Sequence, residues 1–387
     1  MAALNVLSVF DKEAAFGRLS PFQCREIREP DIPNPRWLKV RNKACGLCGT
    51  DITFIFMKVH PKAFPAATPA WRRKYLGHEL LGEVIEAGSE VEGFAVGDRI
   101  GLRMDWPTCF EMEIDPPCPQ CARGSYLLCE NWGRRDPVVV DKGGGFSPYM
   151  VMHRSQAFKI PAALSNDEAL LMEPVAVAVH GAYSRLPAAG DKVLVIGAGT
   201  IGLLTLAVAR AVQPDAEYWS VARYPFQAEM ARKLGASGII PDEKNNFPAV
   251  ADASGARYIS RLGNRILMGG FDLIYDSVGN GTTVNNALRW ARGGGHVVLL
   301  GADFKPERID YSPVWNQEVT LSGINSHAVE SDGRTSWDIA AEMLAGGKLN
   351  LDGIITHRFP LEEYQEAIRT FVHKGSKGAT KIVIEHR

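Results

Sequence analysis

Between residues 192 and 300 the chain alternates between two apolar patterns. Residues 192–196 form a continuous apolar run of the kind found in strands buried on both faces. A glycine turn follows, and residues 201–212 then carry apolar positions at helical spacing. The alternation continues with a strand over 217–221, a helix over 225–234, a strand over 271–275, a helix over 282–291 and a strand over 296–300. Strands and helices in this order predict a doubly wound parallel sheet. The first 160 residues read differently. They are rich in Gly, Pro and short apolar runs, with period-two alternation in Leu38-Lys39-Val40-Arg41 and in residues 82–88, which predicts a β-barrel-like module. After Asn325 the pattern is mixed, with helices expected over 337–345 and 361–372 and a terminal strand over 381–384. These changes divide the chain into residues 1–162, 163–325 and 326–387, the last returning to the first module.

The length of 387 residues agrees with two or three domains, and 46% apolar residues suffice for sizeable cores. The net charge of -1 gives no bulk attraction to nucleic acid or to an anionic membrane. No apolar stretch is long enough to span a bilayer. Residues 1–10 show no secretory leader, so the cytosol is the expected compartment. Thiols stay reduced there, and the seven cysteines are better read as metal ligands and buried thiols than as disulfides.

Gly197-Ala198-Gly199-Thr200-Ile201-Gly202 is a GxGxxG that follows a strand and opens a helix, the context a dinucleotide site requires. The glycines let the backbone approach a pyrophosphate, and the helix N-terminus presents free N–H groups to it. An NAD site carries Asp or Glu about 20 residues further on. This chain has Ala222 there, followed by Arg223 and Tyr224. Without a carboxylate, and with a guanidinium suited to a 2′-phosphate, NADP(H) is expected over NAD(H). The alternative is that Arg223 is a solvated surface cation.

The run Gly77-His78-Glu79 places an imidazole beside a carboxylate, and Cys48 lies upstream in Gly46-Leu47-Cys48-Gly49-Thr50-Asp51. Sulfur, imidazole and carboxylate together suit zinc and argue against magnesium or calcium. Cys45-x2-Cys48 also has redox spacing, which accounts for less of the pattern.

With these motifs the chain resembles the zinc-dependent medium-chain dehydrogenases over nearly its whole length. The matching residues are Gly46 to Asp51, Gly77-His78-Glu79 with Gly82, Gly88 and Val91, Gly97-Asp98-Arg99-Ile100, the cysteine lobe, Glu173-Pro174 and the GxGxxG. It is most similar to the sorbitol, threonine and glucose dehydrogenases, the last through residues 321–327. The resemblance implies a GroES-like β-barrel catalytic domain joined to a Rossmann domain, with assembly into homodimers or homotetramers. It implies that Cys48 and His78 bind a catalytic zinc, that Glu79 is a ligand or approaches the metal during turnover, and that Glu173 binds directly or through water. Glu173 could instead cap a helix. Thr50 resembles the relay hydroxyl that takes the alcohol proton. Asp51 is expected to accept the free N–H of His78 and fix its tautomer.

Cys118-x2-Cys121-x7-Cys129 matches the last three ligands of the family's structural zinc. The first ligand's position holds Asp115, with Cys109 six residues further back. Either Cys109 completes a four-cysteine site while the residues between loop out, or Asp115 supplies an oxygen or the site stays empty. Closed, thiolate-rich structural sites favour Cys109.

Weaker signals remain. Ser277, Val278, Leu300, Gly301 and Asn325 fall near the cofactor by resemblance, although a strand-end turn or a cap would use the same residues. Trp71, Arg72, Arg73 and Lys74 form a basic-aromatic cluster. Trp106 and Trp132 flank the cysteine lobe. His153, His180, His296 and His357 show no partners in the sequence. The expected activity is hydride transfer between NADP(H) and a secondary hydroxyl or carbonyl of a polyol, sugar or related alcohol. The alternatives are a simple aliphatic or aromatic alcohol dehydrogenase with the same metal site, and a zinc- and NADP(H)-binding redox sensor.

Overall fold

The computed structural model describes residues 20, 22–60, 62–63, 75–139 and 141–387. Residues 1–10 and the cluster at 71–74 lie outside them. The chain forms two compact units, residues 1–173 with 355–387 and residues 174–354.

In the first unit, five strands come early: β1 (Trp37–Leu47), β2 (Glu79–Ala87), β3 (Arg99–Leu102), β4 (Tyr149–His153) and β5 (Ala157–Lys159). β1 is the organising strand. It pairs antiparallel with both β2 and β4. Its alternating side chains bury Leu38 and Val40 with Leu80, Val84, Ile100, Met150 and Met152 in one core, which is the half-buried pattern the alternation predicts. A short helix, α1 (Gly49–Ile55), leaves the end of β1 with Cys48 as its N-cap. Helix α2 (Asn166–Ser184) runs across the division between the units.

The second unit contains strands β6 (Lys192–Ile196), β7 (Glu217–Ala222), β8 (Gly238–Pro241), β11 (Phe271–Asp276), β12 (Ala291–Leu299) and β13 (Thr320–Gly323) in one parallel sheet, with the hairpin β9 (Arg257–Arg261) and β10 (Asn264–Met268) beside it. The sheet order is β13-β12-β11-β6-β7-β8. Two mononucleotide-binding halves thus meet between β6 and β11, where strand order reverses, as in dinucleotide-binding folds. Helices α3 (Thr200–Val212), α4 (Pro225–Lys233), α5 (Phe247–Ser254), α6 (Gly281–Trp290) and α7 (Ser336–Ala345) belong to the same unit. Leu194, Ile196, Val221, Ile274 and Val297 are buried in its core, as continuous apolar strands covered on both faces require. Strands β14 (Ile355–Pro360) and β15 (Lys381–Glu385), with α8 (Tyr364–Val372) between them, rejoin the first unit's sheet, whose main path is β14-β15-β1-β2-β3-β5.

The units part at 173/174 and 354/355, where the sequence pattern put borders at 162/163 and 325/326. α2 continues unbroken through the first expected border. After the second, Glu330 accepts from His180 at 3.0 Å and the Asp352 carbonyl accepts from Lys233 Nζ at 2.5 Å, which ties this stretch to the second unit.

Candidate metal centre and cofactor site

The register of β1 on β2 sets Gly46 opposite Glu79. Cys48, two residues past Gly46, therefore arrives beside His78 and Glu79. One ligand atom from each of Cys48, His78 and Glu79 lies within 4.8 Å of the others. Thr50 follows on α1, with its Oγ1 3.8 Å from Cys48 Sγ. Asp51 is buried, and its two oxygens are already engaged. Oδ2 accepts from the Cys48 N–H at 2.9 Å and Oδ1 from the Gly77 N–H at 3.1 Å. His78 Nδ1 is 3.8 Å from Oδ1, beyond hydrogen-bond length. The expected Asp51–His78 hydrogen bond is thus replaced by an electrostatic contact. The carboxylate instead fastens the backbone of both ligand-bearing segments.

Glu173 on α2 stands outside the tight cluster but within electrostatic reach of it. Burial, with Glu79 and Asp51 nearby, brings its pKa up to about 7 against the pull of His78 and Lys381. Burial disfavours a charged His78, yet Cys48, Asp51 and Glu173 outweigh it and hold His78 well above its ordinary value. Sulfur, imidazole nitrogen and carboxylate oxygen are the donor types zinc accepts, so the set fits a zinc ion.

The side chain with no sequence signal of its own is Lys381. β15 pairs with β1 so that Ile382 faces Leu47, and Lys381 enters the site from the chain's other end. Its Nζ pairs with Glu79 Oε2, and both side chains are almost wholly buried. A lysine heading the apolar run Ile382-Val383-Ile384 was the available hint.

The second cluster is Cys109, Cys118, Cys121 and Cys129, all buried, with sulfurs within 4.8 Å of one another. Tetrahedral zinc with bonds of about 2.3 Å sets sulfurs ~3.8 Å apart, and Cys109 and Cys129 stand 3.7 Å apart. Burial opposes ionisation of Cys118, but N–H groups of Cys121 and Glu130 and neighbouring thiols bring it to about 7, favouring the thiolate that binds metal. Asp115 is exposed and outside the cluster. The stretch after Cys109 leaves the cluster as a closed turn. Its first turn closes with Ile114 N–H on the Cys109 carbonyl at 2.8 Å, and buried Glu111 accepts from Lys142 at 3.0 Å. Trp106 and Trp132 pack on each other with ring centroids 5.7 Å apart. Cys109→Ser is expected to remove one zinc per chain by atomic absorption, and Asp115→Ala none; the reverse pattern would return Asp115 to the ligand set.

In the second unit, Gly197 has φ +93° and a Cβ on Gly202 would meet the Gly197 carbonyl at 1.7 Å. Only glycine fits the turn and the strand–helix approach. Around Gly199 a Cβ would meet nothing within 4 Å, so no side chain crowds the turn before the helix N-terminus at Thr200, where a phosphate is favoured. Ser277 Oγ donates to the Ile196 and Gly197 carbonyls at 2.8 and 3.0 Å, bracing the turn from behind. Val278 packs over Gly197, while Leu300 and Gly301 both donate backbone N–H groups to the Asp276 carbonyl. Asn325 is exposed. Ala222 is buried, and Arg223 is exposed and ion-paired with Asp242. The histidines have partners: Ser155 for His153, Glu330 for His180, Ser322 for His296 and Thr356 for His357.

These sites sit in domains with known relatives. Residues 34–162 match the alcohol dehydrogenase GroES-like domain and residues 200–344 the zinc-binding dehydrogenase domain. An L-threonine 3-dehydrogenase of Alteromonas mediterranea is 30% identical, with 93% of this chain and 95% of that protein covered. The chain belongs to the zinc-binding alcohol dehydrogenase family. D-arabinitol dehydrogenase 1 of Uromyces fabae is 29% identical over 84% of this chain and 83% of its own. A zinc-binding dehydrogenase from Sinorhizobium meliloti, solved bound to NADP, is 30% identical with a TM-score of 0.71 and covers 93% of this chain and 95% of its own. The 2R,3R-butanediol dehydrogenase of Bacillus subtilis gives 25% identity and a TM-score of 0.73, covering 94% and 96%. This chain is accordingly a zinc-type alcohol or polyol dehydrogenase with a GroES-like and a Rossmann domain. No helix among the described residues is long and apolar enough to cross a membrane.

Proposed function

We propose that this dehydrogenase moves a hydride between NADP(H) and a secondary alcohol that carries a second polar substituent beside the reacting carbon, such as a polyol, sugar or amino alcohol. The observation that carries the reading is the convergence of Cys48, His78 and Glu79 within 4.8 Å, with the Glu173 carboxylate in electrostatic reach. When bound, zinc supplies Lewis-acid polarisation of the substrate oxygen, and the nicotinamide takes up or gives the hydride. Cys48, His78 and Glu79 would hold the metal, with Glu173 beside them. Thr50, on the turn that follows Cys48, takes the hydroxyl proton. Asp51 keeps the two ligand-bearing segments in place through their N–H groups. Threonine, arabinitol and butanediol, the substrates named for the relatives, each present a secondary hydroxyl next to an amine or another hydroxyl, which supports the substrate class. Ala222 and Arg223 support NADP(H), as does the NADP-bound relative.

The test is a panel of threonine, sorbitol, arabinitol and glucose against 2-butanol and benzyl alcohol, with zinc-loaded protein and each cofactor. At least one member of the first group is expected to exceed both simple alcohols about tenfold or more in kcat/KM, as an extra buried polar contact allows. A preference for benzyl alcohol or 2-butanol would overturn the substrate class.

A further inference from the structure

The parallel sheet brings a carboxylate to the place where sequence spacing shows none. Ala222 ends β7 and lies opposite Pro241, the last residue of β8. Asp242 follows immediately, and its N–H donates to the Ala222 carbonyl at 3.0 Å. Arg223 turns toward it: Nε and Nη2 both lie 2.7 Å from Asp242 Oδ2. A carboxylate just past the neighbouring strand thus stands beside the cation expected to hold a 2′-phosphate.

The pair is exposed, with 66% of the Arg223 side chain and 36% of that of Asp242 open to solvent. Exposed ion pairs of this kind are weak, so an arriving anion can compete for the guanidinium. A 2′-phosphate brings about -1.5 to -2 charges. It gains Arg223 only by sharing it with a carboxylate that repels the phosphate. A plain ribose meets no such conflict, because its 2′-hydroxyl can donate to Asp242 as it would to the acid at the end of β7.

We infer that Asp242 is a cofactor-specificity determinant that counterweights Arg223, lowering the affinity for NADP(H) and raising that for NAD(H), so that the chain accepts both. The inference rests on the reading that Arg223 meets the 2′-position. Charge, rather than shape, is the agent, so the Asn variant suffices to remove it.

The experiment is calorimetric titration of NADP+ and NAD+, with adenosine 2′,5′-bisphosphate and 5′-AMP as fragments, into wild type, Asp242→Asn, Arg223→Ala and the double variant. Asp242→Asn is expected to raise the ratio of NADP+ to NAD+ affinity about tenfold at low salt, with the gain shrinking as salt screens it. Arg223→Ala is expected to lower that ratio. An unmoved ratio in Asp242→Asn, with Arg223→Ala still lowering it, overturns the inference and leaves the NADP(H) reading standing. An unmoved ratio in Arg223→Ala removes that reading, and an unmoved ratio in both variants removes both. Circular dichroism of each variant separates a lost site from a lost fold.

Discussion

Lys381→Met is expected to destabilise the first unit by about 3–5 kcal/mol, the usual consequence of removing one partner from a buried ion pair. Lys381 and Glu79 are almost wholly buried, and their charged atoms meet directly. Lys381 also lies within electrostatic reach of the Cys48 sulfur and the Glu173 carboxyl, so its charge acts on more of the site than Glu79 alone. Methionine keeps the length and apolar stem but leaves Glu79 without compensation. The measurement is the urea midpoint, taken with metal stripped and again with zinc loaded. The deficit should be larger in the stripped protein, because zinc supplies some of the missing positive charge. Glu79→Gln combined with Lys381→Met should recover most of the loss, since a neutral amide needs no counter-ion. A stripped Lys381→Met protein within about 1 kcal/mol of wild type would mean the pair is not buried in solution.

The same pair shows which parts of this protein the amino-acid order reveals. The parallel sheet was legible because its signals are local. Lys192–Ile196 is one apolar run, the GxGxxG follows it directly, and each helix repeats its pattern within a dozen residues. The three cysteines at 118, 121 and 129 are legible for the same reason. Cys109 was harder, because Asp115 occupies the regular spacing. The bond from Ile114 N–H to the Cys109 carbonyl and the burial of Glu111 and Met112, at 0% and 1% exposure, show how the chain doubles back.

Lys381 and Asp242 were not legible, because each is brought to its site by strand pairing. Lys381 meets Glu79 across 302 positions, through a register no local pattern encodes. Asp242 follows β8, a four-residue strand too short for periodicity to detect. The hairpin β9–β10 escaped as well, since every residue of β9 is exposed and no alternation marks it. Asp51 was found, but its partners were not. A carboxylate two backbone N–H groups can reach is satisfied by them before a ring nitrogen 3.8 Å away.

Cys48→Ala should separate the two clusters. The variant is expected to lose one of two zinc ions per chain, and kcat/KM should fall about a thousandfold or more. That figure follows from several kcal/mol of Lewis-acid stabilisation at about 1.4 kcal/mol per factor of ten. The fold should persist, because Asp51 still joins the two segments through the Cys48 and Gly77 N–H groups. Cys118→Ala should show the opposite balance. Its sulfur accepts the Cys121 N–H at 3.5 Å and begins the turn Pro119–Ala122, so its loss should empty the lobe and lower the thermal midpoint. The remaining folded fraction should still hold one zinc and turn over substrate. Metal content by atomic absorption and turnover per folded chain decide the matter. A Cys48→Ala protein that keeps both ions, or retains turnover within about tenfold of wild type, would move the chemistry away from this cluster.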